Sequence, residues 1–163
     1  MNWVLFWLFL HILAAVIAFG PLFVFPIIGT LAARSPQNMR FAVELDHRIS
    51  TRLVIPVSLT MLISGSGLIW TTNINFFRTI YLIAAVALYF VALIISLMVL
   101  VPTTKQLLRI AEHMPAAPLA GDSLPPQVQA LVRRTQMFGG LDMVLFLVII
   151  FLMIVQPGGI TIR

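Results

Sequence analysis

The sequence predicts an all-α protein, four transmembrane helices packed as an up-and-down antiparallel bundle. Three observations predict it. Of the 163 residues, 61% are hydrophobic and only 9% charged, with a mean hydropathy of +1.08. A soluble domain carries about 25% charged residues, and a chain this apolar avoids water by lying in lipid. The apolar residues form four continuous runs, residues 3–30, 53–70, 76–101 and 137–155, each near the roughly 20 residues that a spanning helix needs. Transmembrane β-strands would instead read as short alternating segments. Finally, an even number of spans with short connections suits an antiparallel bundle, a single domain over residues 1–163.

The first run opens on Met1-Asn2-Trp3, with no basic n-region and no small-residue cleavage site before Pro21, so it reads as a retained helix rather than a signal peptide. Gly20, Pro21 and Pro26 lie inside it or near its end and predict a kink, its freed carbonyls met by neighbouring helices. A polar link, residues 34–51, leads to the second run. Asn73-Ile74-Asn75 predicts a tight turn into the third. The link over residues 102–136 is the longest, and Pro115, Pro118, Gly121, Pro125 and Pro126 divide it. Its start, residues 105–113, continues the third helix with an amphipathic period. Ser123 reads as an N-cap, with Pro125 and Pro126 in the first turn of a helix that runs into the fourth span.

Charge sets the expected orientation. Of the ten lysines and arginines, Arg34, Arg40, Arg48, Arg52, Lys105, Arg109, Arg133 and Arg134 fall on the side that holds the two long links, against Arg78 and Arg163 on the other side. By the positive-inside rule the long links are cytoplasmic and both termini extracytoplasmic, in a bacterial inner membrane. Trp3, Trp7, Trp70 and Tyr81 then fall near the outer interface, where amphipathic rings prefer to sit. The net charge of +5 is no nucleic-acid footprint, because the basic residues flank apolar runs and form no separate basic domain.

Few residues offer chemistry. There is no cysteine, hence no disulfide, thiolate ligand or cysteine nucleophile. Walker, HExxH and GxSxG motifs are absent, so hydrolysis and phosphoryl transfer lack support. The eight methionines mostly scatter through the spans without a Met-x-x-Met cluster, and core packing explains them. His11 lies about 12 Å below the outer end of the first span, at about 1.5 Å per residue. It is either an axial ligand to haem iron or another metal, or a histidine bonded to a serine, a carbonyl or a headgroup. His47 and His113 lie at the opposite end and cannot share a metal with it. Asp142, inside the fourth span, calls for a cation at its depth. Arg52 is the expected partner in a structural ion pair, and the sharper alternative is a proton relay or an anion pocket lined by Arg48 and Arg52. Ser64-Gly65-Ser66-Gly67 invites close helix approach or leaves room for a flat cofactor.

Leu10-His11-Ile12-Leu13 followed by Phe19-Gly20 resembles the first helix of small bacterial four-helix membrane proteins related to HemJ-type protoporphyrinogen oxidases and CopD-type copper-resistance proteins. Asp46-x-Arg48, then Pro56, Thr60 and Gly65, is similar to the pattern opening the second helix of HemJ-like proteins. The resemblance implies haem b bound through His11, with Arg48 near cofactor or substrate carboxylates. HemJ-like proteins carry a lysine at the start of the third helix where this chain has Arg78, and an arginine, always charged, cannot serve as a general base. No second histidine lies at the depth of His11, so a haem would be five-coordinate, ligated by methionine, or bridged to another subunit. Three functions remain open: a haem-binding redox or porphyrin-related protein with His11, Arg48 and Arg52 at the cofactor; a cofactor-free structural or assembly subunit of a membrane complex; and a small transporter acting as a homo-oligomer.

Overall fold

The computed structural model describes residues 2–34, 36–113 and 125–157, and among them every regular element is helical. Helix α1 spans Trp3–Arg34. Helix α2, Pro36–Ile49, passes through a π-helical turn, Ser50–Val54, into α3, Ile55–Thr72. After a reversal and a 3-10 turn at Phe76–Arg78, α4, Ile80–Ile95, passes through a second π turn, Ser96–Leu100, into α5, Val101–His113. Helix α6, Pro126–Val155, completes the chain. Four of these continuous rods are long and apolar enough to cross a membrane, as the sequence predicts.

The connections differ from the expected links. The 34–51 segment is mostly helix, and the second rod is continuous through Met39–Thr72 over 34 residues. The third rod also runs for 34 residues, Ile80–His113. At 1.5 Å per residue each is about 51 Å long, so each outruns a hydrocarbon core of about 30 Å by about 20 Å. The overhang lies at the end that carries the exposed Arg40, Arg48, Arg52, Lys105, Arg109, Arg133 and Arg134, here called the basic end. The amphipathic continuation over 105–113 is present as α5, and Pro126 sits in the first turn of α6. Ser123, Arg163 and the 115–121 breakers lie outside the described residues. At the far end, Asn73 takes a left-handed conformation, φ 53°, that lets its N–H reach the Trp70 carbonyl and stops α3; asparagine tolerates this region better than most residues.

Both π turns have one cause. Each ends two residues before a proline, Pro56 and Pro102. A proline has no N–H for the carbonyl four residues back, here those of Arg52 and Met98. The helix slips to the wider spacing instead, and the Ser50 and Ser96 carbonyls take the N–H groups of Ile55 and Val101. Pro21 and Pro26 also lie within α1, which remains helical through both.

Two cores follow. The membrane core joins Ala14, Ala18, Phe19 and Leu22 of α1 with Met61, Ala85, Tyr89 and Ile149. Its wholly enclosed positions are mostly small, whereas Phe9, Val16, Ile63, Met98 and Ile154 face outward with more than half their surface exposed. Small residues inside and large ones outside is the packing expected where lipid is the solvent. A separate core at the basic end joins Met39, Leu107 and Val128 with Val43, Ile110, Leu131 and Val132. Within the membrane α3 lies on α1 and α4 on α6; at the basic end α2 lies on α5.

Candidate functional site

The α1–α3 seam places His11. Trp7 and His11, one turn apart on α1, fall opposite the small residues of α3. The His11 ring passes over Gly65, where a Cβ would come within 3.3 Å of Cε1. The Trp7 indole fills the space over Gly67, where a Cβ would drive into the ring. His11 Nδ1 lies 3.1 Å from Ser64 Oγ and 3.2 Å from the Met61 carbonyl, and Ser64 Oγ also donates to that carbonyl at 3.0 Å. The imidazole thus ties α1 to α3. Trp7 and His11 pack over Gly67 and Gly65 of the Ser64-Gly65-Ser66-Gly67 run, while Ser66 turns outward onto the Leu62 carbonyl. Trp3 and Trp70 are exposed at the far end, and Trp7 and Tyr81, near the same end, are turned inward.

The structure does not gather His11, Arg48 and Arg52 into one place. Ser64, level with His11, stands 12 residues beyond Arg52 on one continuous rod, about 18 Å at 1.5 Å per residue, and Arg48 lies a turn further still. Arg48 pairs with Glu44 on its own helix, and Arg52 is exposed. Among the described residues no three histidine, aspartate or glutamate side chains are grouped to hold a metal.

Arg52 is not brought to Asp142 either. Asp142 is fully buried and accepts a hydrogen bond from Ser96 Oγ at 2.7 Å through Oδ2, while Oδ1 has no hydrogen-bond partner among the described residues. The expected ion pair fails on geometry: Arg52 sits on the exposed flank of the first π turn, and Ser96, starting the second, is what faces α6. The consequence is measurable. Asp142→Asn keeps an acceptor for Ser96 and removes a charge without stranding a cation, so its SDS-unfolding free energy should fall by less than about 1 kcal/mol. Breaking a buried ion pair would lower it by about 3–5 kcal/mol.

Between the two cores lies a cavity of about 410 Å³. Leu22, Phe25 and Pro26 of α1 form one wall; Met39, Ala42 and Asp46 of α2 with Ser50 and Val54 of the first π turn form the next. Leu100, Thr104 and Leu107 close a third side, and Thr135, Gln136, Gly139 and Gly140 of α6 the fourth. Among the described residues Asp46 is the sole ionisable group in the lining, and it has no hydrogen bond or ion pair there. At both Gly139 and Gly140 a Cβ would meet nothing within 4 Å. Asp142 stands one turn beyond Gly139 on α6, and Ser96 one turn before Leu100, so the Asp142–Ser96 pair lies just beneath the cavity floor.

The sequence carries a signal for this region that its candidate residues do not include. Ile49-Ser50, four residues, then Ile55-Pro56 recurs as Ile95-Ser96, four residues, then Val101-Pro102. The repeat marks the two π turns, and π turns gather at functional sites. Asp46 appears in the sequence only as part of an acidic-x-Arg pair; its place on a cavity wall depends on α2 being helical.

A shell of large apolar side chains, small residues within and four rods of spanning length define a multi-pass integral membrane protein. The chain belongs to the family described as predicted integral membrane protein (DUF2269), whose model matches residues 5–157. No curated protein and no solved structure matches it.

Proposed function

We propose that this protein binds a small, membrane-soluble molecule in the cavity at its basic end. One observation carries the reading: about 410 Å³ of space lies between two packed cores and is walled by all four rods. Ligand pockets run from about 300 to 1,000 Å³, mostly apolar with a few placed polar groups, and this lining matches that description. The basic residues around it support an orientation with the cavity on the cytoplasmic side of a bacterial inner membrane. Handling a ligand across the bilayer, as a transporter, would call for a homo-oligomer, because one bundle of four rods offers little for a pathway.

Gly139→Leu tests the reading. It projects a side chain into open space and replaces a helix-interior glycine with a better helix former, so the bundle should remain folded. Native mass spectrometry of wild-type protein should show a co-purified small molecule that the variant lacks. Equal ligand masses on both proteins would overturn it.

Haem b at His11 keeps one support. Contact of Nδ1 with a carbonyl and a hydroxyl leaves Nε2 as the ligating nitrogen, the way outer partners orient metal-binding imidazoles. When bound, haem would supply one-electron chemistry there; Arg48 and Arg52 have no part in this version of the site. Protein from haem-replete cells should then show a Soret band that His11→Ala removes. A colourless preparation rejects haem and leaves ligand binding or a structural role in a membrane complex.

A further inference from the structure

Resting on the cavity reading above, we infer that the occupant is a lipophilic cation, an apolar body with one positive charge seated against Asp46. The lining is mostly apolar, with Ser50, Thr104, Thr135 and Gln136 as its neutral polar groups, and among the described residues it presents one ionisable group. A carboxylate in such surroundings needs a counter-charge or hydrogen-bond donors, and the protein supplies neither to Asp46 among the described residues. The nearest arginine in sequence on the same helix, Arg48, is taken by Glu44. Among the described side chains, the other lysines and arginines of the basic end, Arg40, Arg52, Lys105, Arg109, Arg133 and Arg134, are exposed and none lines the cavity. An anionic ligand would meet Asp46 charge to charge, and a neutral hydrocarbon would take water from this half-buried carboxylate without offering it a partner. A cation answers both conditions. The two lining threonines add little competing polarity, because Thr104 already donates to the Leu100 carbonyl at 2.9 Å and Thr135 to the Leu131 carbonyl at 3.1 Å.

Equilibrium binding to the purified full chain in zwitterionic nanodiscs tests this, with tetraphenylphosphonium as the cation and tetraphenylborate as an anion of the same shape. Wild type should bind the cation saturably and the anion at least tenfold more weakly. Asp46→Asn should lose at least tenfold in cation affinity, and Asp46→Glu should recover most of it. Gly139→Leu should abolish binding of both. Circular dichroism and size-exclusion profiles matching wild type qualify each variant. If Asp46→Asn binds the cation within twofold of wild type, or the anion binds as tightly, the charge assignment is overturned while the cavity stands. Cation binding that is saturable and unchanged in Gly139→Leu overturns the cavity reading itself, and wild type that binds neither probe overturns the cation inference.

Discussion

Gly67→Leu is expected to lower the unfolding free energy by about 3 kcal/mol, the upper part of the range for inserting bulk into a filled site. The reason is local. A Cβ at position 67 already collides with the Trp7 indole, whose ring atom Cε2 would stand 2.7 Å away, and α1 cannot retreat without breaking the His11 contacts to Ser64 and Met61 one turn along. In lipid there is little hydrophobic drive to hold helices together, so close contact and interhelical hydrogen bonds bear the association. Both are lost at once if the seam opens. Trp7→Ala should restore part of the stability to Gly67→Leu, and the double-mutant cycle should give a coupling of the same sign as the clash. Gly20→Ala is the control, since nothing lies within 4 Å of a Cβ there. SDS unfolding in mixed micelles reads all five proteins, wild type included. Equal midpoints for Gly67→Leu and Gly20→Ala would show that the indole does not depend on the glycine.

The four spans were legible because lipid imposes a length and a composition that few other environments share, and because Asn73 and the proline pair at Pro125 and Pro126 punctuate the chain where helices stop or start. The overhang was less legible. Residues 36–49 are polar enough to read as a link, yet Met39, Ala42 and Val43 recur at helical spacing and find Leu107 and Val128, a partnership between segments more than 60 residues apart that no local pattern shows. The site was the least legible part. Arg52 and Asp142 were matched by depth alone, and depth says nothing about rotation around a helix: the π turn after Ile95 and the facing of Ser96 decide what Asp142 meets. His11 was legible as a residue needing a partner, and Ser64 is that partner. Asp46 passed as one charge among several, because a cavity is a property of four walls and not of any one of them.

The basic-end core should fail separately from the membrane core, and Leu107→Ala is the substitution that shows it. Leu107 is 4% exposed between Met39 and Val128, and truncating a buried leucine removes about 2–5 kcal/mol. That loss falls on a core of few residues. Helices α2 and α5, of 14 and 13 residues, extend past the lipid that shields the backbone hydrogen bonds of the spans, and helices of this length are marginal in water without packing. Taking about 2.8 kcal/mol as the local cost, amide protection in α2 and α5 should drop by roughly a hundredfold. Amides around Ala85 and Tyr89, held in the other core with the Tyr89 hydroxyl donating to the Ser58 carbonyl at 2.6 Å, should keep their wild-type rates. Because Met39, Asp46 and Leu107 all wall the cavity, the same variant should lose bound ligand while remaining inserted and helical across the bilayer. A uniform fall in protection along all four rods would mean that the two cores unfold as one, and that the cavity is no independent seam between them.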